Sequence, residues 1–85
     1  MRILETSKFS KLRKKFKEQA EIEALKSAIK EIQKDPQTGK KMKGELEHLR
    51  SYAYATKGQA RRLVYKWEKD TVILFSFGPR QGIYK

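Results

Sequence analysis

From His48 to Thr56 the even positions read His48, Arg50, Tyr52 and Tyr54, and the odd ones Leu49, Ser51, Ala53 and Ala55. Residues two apart on a strand project from one face, so this spacing would line up an imidazole, a guanidinium and two phenols. Such a set suits proton transfer beside a stabilised anion. The imidazole is the ordinary base near neutrality, and a phenol or amine would serve only if neighbouring cations lowered its pKa. The run Ala60 to Trp67 alternates again, with Leu63, Tyr65 and Trp67 as its core-facing set and Arg62, Val64 and Lys66 on the other side. Arg62 is the odd residue there. A planar guanidinium pairs bidentately with phosphate and keeps its charge at any working pH. The plainer alternative is an open sheet face carrying solvated charges and amphipathic aromatics.

Other chemistries are excluded by residue type. With one His and no Cys in 85 residues, neither a disulfide framework nor a transition-metal site is expected. The phosphate-cradling glycine patterns of nucleotide-binding folds are missing, and no Ser sits in a nucleophile elbow. Any chemistry is therefore expected to use Arg, Lys, Tyr and His with no cofactor and no metal. The 21 Lys and Arg against 10 Asp and Glu leave a net charge of +11. A positive potential of that size favours polyanions, nucleic acid first. No apolar run approaches the roughly 18 residues of a membrane span, and no signal-peptide core precedes a cleavage site. The expected setting is cytoplasmic, away from the membrane.

These groups need a scaffold, and 85 residues make room for one domain, residues 1–85, with a modest core. Residues 2–6 read as a short strand, with Ser7 as a candidate N-cap for a helix carrying Phe9, Leu12 and Phe16 on one stripe. A second helix from Glu21 repeats the period with Ile22, Leu25, Ile29 and Ile32, and ends before Asp35-Pro36. Residues 35–47, rich in Lys, Gly and Pro, read as a loop. Three strands follow, over residues 48–56, 60–67 and 71–77, turning at Lys57-Gly58-Gln59 and Glu68-Lys69-Asp70. The expected fold is α+β, in the order β-α-α-β-β-β. A helical hairpin packs on one face of an antiparallel sheet to which the first strand returns.

Four segments then resemble a known family. They are Met42-Lys43-Gly44-Glu45-Leu46, Leu49-Arg50-Ser51-Tyr52, Ala60-Arg61-Arg62-Leu63-Val64-Tyr65 and Phe77-Gly78-Pro79-Arg80-Gln81-Gly82-Ile83-Tyr84. In that order and register they are similar to the RelE/ParE superfamily of type II toxins. The resemblance implies a ribosome-dependent endoribonuclease that cuts mRNA in the A site and is neutralised by a cognate antitoxin. By the same resemblance Arg62 holds the scissile phosphate, Arg80 is a phosphate ligand or leaving-group acid, and Tyr84 stacks on or orients the nucleotide. Where RelE carries lysines on the strand after its Leu-Lys-Gly turn, this sequence has Arg50 and Tyr52. The base role is left to His48, Tyr52, Tyr54 or a lysine such as Lys43 or Lys57. Lys40, Lys41, Lys43, Tyr54, Lys57 and Lys66 are candidate RNA contacts. The superfamily also includes ParE-type inhibitors of DNA gyrase, and a basic RNA- or DNA-binding module without catalysis is a third reading.

Overall fold

The computed structural model describes residues 2–44 and 48–79. Its elements are β1 (Arg2–Glu5), α1 (Ser7–Lys15), α2 (Gln19–Lys34), a single 3-10 turn (Pro36–Thr38), β2 (Lys40–Lys41), β3 (Arg50–Thr56), β4 (Gln59–Glu68) and β5 (Thr71–Pro79). The sheet runs β1-β5-β4-β3-β2, and both helices lie on one face of it. The α+β class and the helical hairpin follow the expectation from sequence. Two details correct it. β1 pairs with β5 in parallel, so the sheet is mixed and not antiparallel throughout. The stretch read as a loop contributes a fifth strand, β2, antiparallel to β3.

Local chemistry fixes each junction. Thr6, not Ser7, caps α1: its hydroxyl accepts from the Phe9 amide at 3.1 Å while donating to the Phe75 carbonyl at 3.3 Å. Its amide also bonds the Leu74 carbonyl at 3.0 Å. One residue thus starts the helix and latches β1 to β5, satisfying donors that a helix start would otherwise leave open. The β3–β4 connection is the two residues Lys57 and Gly58, at φ 54° and 76°. Two consecutive left-handed residues make the turn whose twist matches a tight hairpin.

Apolar stripes then close the core. Phe9 of α1 and Phe16, the residue that caps its C-terminus, meet Phe77 of β5 with ring centroids 5.1 and 5.2 Å apart. Leu25, Ala28 and Ile32 of α2 are buried with Leu63, Tyr65, Val72 and Leu74 of the sheet. Trp67, expected in the core-facing set, is only half-buried and packs at its margin. Val64 is buried as well, although its strand position faces away from the helices.

Tyr65 is fully buried, and its phenol must find partners in the apolar interior. It accepts from the Gly39 amide at 3.0 Å and donates to the Pro36 carbonyl at 2.7 Å. The Arg50 guanidinium holds the other side of the same loop, donating to the Gly39 carbonyl at 2.8 Å while its Cζ stands 5.3 Å from the Trp67 ring centroid. Glycine is required at position 39 by space alone, since a Cβ there would stand 2.5 Å from the Tyr65 hydroxyl oxygen. Removing the hydroxyl in Tyr65→Phe should cost about 1–3 kcal/mol, because the Gly39 amide and Pro36 carbonyl lose their partner. Gly39→Ala should cost about as much through overpacking. Urea unfolding checks both, and midpoints equal to the parent's would contradict the clamp.

Candidate nucleic-acid interface

Strand register decides which side chains share a face. Arg50 stands opposite Tyr65, Tyr52 opposite Leu63 and Tyr54 opposite Arg61, while Ser51, Ala53 and Ala55 stand opposite Val64, Arg62 and Ala60. Paired residues of an antiparallel ladder point the same way. Arg50, Tyr52 and Tyr54 therefore lie on the helix-bearing side, and Arg62 lies on the other. His48 belongs to the turn before β3 and is exposed. Of the four expected to share one face, Arg50, Tyr52 and Tyr54 do so, while His48 precedes the strand. The thickness of the sheet separates those three from Arg62.

The helix-side members have local work of their own. Arg50 clamps the Gly39 loop, and Tyr52 and Tyr54 pack against the core. The Tyr54 hydroxyl is buried with no hydrogen-bond partner among the described residues, beside the ion pair of Glu21 and Arg61 at 2.8 Å. Burial first, then the Glu21 charge, pushes its pKa up to about 12, with Arg61 opposing. A phenol held so strongly neutral is ill suited to act as a base. Burial likewise raises Tyr65, countered by its bond from the Gly39 amide.

The cationic candidates also separate. Lys57, in the β3–β4 turn, is paired with Glu18, and Lys66, on the open face of β4, meets Glu68 at 2.5 Å. Lys41 stands opposite Arg50 and so shares the helix-bearing side, and Lys43 is exposed beyond β2. Lys40 stands opposite Ser51, on the side of Arg62. Arg80 and Tyr84 lie outside the described residues.

The open face contains a cleft. Thr38, Lys40, Ser51, Tyr52, Ala53 and Arg62 border a cavity of about 230 Å³. Arg62 has Ala53 as its neighbour on β3 and Gly78 on β5, both too short to crowd its guanidinium, and its Nη1 lies 3.5 Å from Ser51 Oγ. A guanidinium, a lysine ammonium and the hydroxyls of Thr38 and Ser51 around a shallow depression are suited to a phosphate group and the sugar beside it. A second, apolar groove of about 300 Å³ opens on the opposite side between the helices, lined by Phe16, Ile22, Leu25, Ile29 and Phe77 and rimmed by Arg13, Lys14 and Lys26. Among the described residues no helix is long and apolar enough to cross a membrane.

Tyr54 sets a pH dependence. Its folded-state pKa of about 12 stands above the ordinary 10.0, so the stability tied to its neutral form is complete below pH 10 and is lost as the pH rises toward 12. Tyr54→Phe should be within about 1 kcal/mol of the parent at pH 7, since the hydroxyl it removes makes no bond among the described residues. Above pH 10 its stability should fall less steeply. Urea midpoints measured from pH 7 to pH 11.5 check this, and parallel curves for the two proteins would refute it.

Comparison with known proteins gives the following. The family model described as ParE-like toxin of type II bacterial toxin-antitoxin system matches residues 3–85. No curated protein matches the chain. Among solved structures, the intact Escherichia coli RelBE toxin-antitoxin complex contains a chain similar at TM-score 0.72 and 19% identity, covering 95% of this chain and 98% of that one. A copper-bound mutant toxin from Helicobacter pylori is similar at TM-score 0.66 and 22% identity, and a conserved hypothetical protein from the same organism at 0.58 and 22%. Each covers 98% of both chains. At these identities the structural likeness is one of fold.

Proposed function

Because the chain belongs to the ParE-like toxins of type II bacterial toxin-antitoxin systems, within the RelE/ParE superfamily, we propose that it arrests growth by cutting mRNA on the ribosome. The observation that carries this reading is Arg62, held in a cleft on the face opposite the helices beside Ser51 and Lys40. In the proposed reaction a ribose 2′-oxygen attacks the adjacent phosphorus and the bond to the 5′-oxygen breaks. The 2′-hydroxyl proton departs and one is delivered to the 5′-oxygen, leaving a cyclic phosphate and a 5′-hydroxyl. Negative charge accumulates on the non-bridging oxygens, and a fixed guanidinium stabilises that charge more than it stabilises the ground state. Arg80 and Tyr84 take the phosphate-ligand or acid role and the nucleotide-orienting role that the resemblance implies.

A cognate antitoxin completes the proposal, as the RelBE complex pairs toxin with antitoxin. The partner is an acidic or amphipathic segment that orders on binding, drawn by the +11 charge. Co-expression with the neighbouring small gene should relieve growth arrest and yield a copurifying complex. A protein harmless on its own and without such a partner would remove the reading.

Arg62→Ala should lower cleavage of translated mRNA by about 10²–10³-fold, with folding and antitoxin binding kept. Lys30→Ala, on the exposed side of α2, should stay within about twofold, as expected of a surface charge far from the cleft. Mapping 5′ ends of translated mRNA reads the outcome. Equal losses in both variants would reduce the effect to bulk charge, and gyrase-linked DNA breaks in place of mRNA cuts would replace the reading with gyrase inhibition.

A further inference from the structure

We infer that Lys40 is a second catalytic cation, acting with Arg62 on the same phosphate. The inference rests on the mRNA-cleavage reading and adds to it a residue beyond the strand arginine. Lys40 borders the cleft from β2 and Arg62 from β4, with β3 between them. Neighbouring strands are about 4.8 Å apart and the register partners Ser51 and Ala53 are two residues apart, so the Lys40 and Arg62 backbones stand about 12 Å apart, a gap within the combined reach of two long cationic side chains. The floor between them is Ser51 and Ala53, the register partners of Lys40 and Arg62. Both are small. The cleft thus has two cationic walls and a low floor, a shape that seats a tetrahedral phosphate between the cations.

The position of Lys40 is fixed by the core. The Gly39 amide and carbonyl are held by Tyr65 and Arg50, and the next residue, Lys40, is therefore fixed opposite Ser51. The backbone that carries the amine is thus set before substrate arrives, which leaves only the side chain to adjust as charge develops. In the step itself Lys40 contributes charge and transfers no proton. The bond from the 2′-oxygen to phosphorus forms, the bond to the 5′-oxygen breaks, and the proton lost from the one is replaced on the other through water. Lys40 and Arg62 share the charge that builds on the non-bridging oxygens.

The test is single-turnover cleavage on translating ribosomes by the full chain. Lys40→Ala should lower the rate at saturation by about 10²-fold, Lys40→Arg should recover most of it, and Lys30→Ala should match the parent. A Lys40→Ala rate equal to that of Lys30→Ala overturns the inference and leaves the cleavage reading standing. A Lys40→Arg rate as low as that of Lys40→Ala also overturns it, because charge alone would then not be what the site uses. A parent protein that leaves mRNA intact removes the cleavage reading and this role with it. A readout independent of turnover is titration with an RNA trinucleotide in which the one sugar 5′ to the scissile phosphate is 2′-deoxy, followed by NMR. Lys40→Ala and Arg62→Ala should each weaken binding several-fold, and unchanged binding in Lys40→Ala would place the amine outside the site.

Discussion

A single buried phenol holds much of this structure in place. Among the described residues Tyr65 is the largest fully buried side chain, and its hydroxyl bonds the backbone of the loop between α2 and β2. An oxygen in a dry interior demands such partners, and the loop has to come to it. Because the loop comes in, Gly39 lies directly on the ring and Lys40 reaches β3. Because Lys40 reaches β3, the cleft at Arg62 has a second wall. The site on the open face thus depends on a hydrogen bond made on the opposite face of the sheet.

Most of the fold was legible in periodicity. The stripe of Phe9, Leu12 and Phe16, the longer one from Ile22 to Ile32, and the alternation in β3 and β4 each fixed an element type. Alternation states which residues share a face but not which face it is. That depends on the turn: composition marks Lys57-Gly58-Gln59, whereas Gln59 already pairs with Thr56 and the turn is Lys57-Gly58 alone. A one-residue change of register exchanges the faces of a strand relative to its partner. Tyr52 therefore came to stand opposite Leu63 instead of sharing the side of Arg62. The two-residue β2 was invisible for a different reason, since it is too short to show a period and rests on contacts from Tyr65 and Arg50, far away in the chain. The parallel pairing of β1 has no local signal either.

Among the described residues, three carboxylates tie the helical layer to the sheet. Glu5 pairs with Arg13 at 2.9 Å, and this hydrogen-bonded partner holds the Glu5 carboxyl below its ordinary range. Glu18 meets Lys57 at the hairpin turn, and Glu21 meets Arg61 with side chains only 11% and 13% exposed. The last pair is shielded from water and fixes the start of α2 over β4 more firmly than a surface pair would. On the face away from the helices, Lys66 is likewise paired with Glu68 along β4.

The parallel seat of β1 sets an order in time. Arg2 pairs with Thr71 and Thr6 bonds to Leu74 and Phe75, so the sheet gains its outer strand only by joining residues about 70 apart. Contacts of that separation carry a large loop-closure entropy and form late. Until β5 has been made, α1 has neither the Phe77 ring to pack on nor the carbonyls that Thr6 grips. A chain still emerging during its own synthesis lacks both until β5 has left the ribosome.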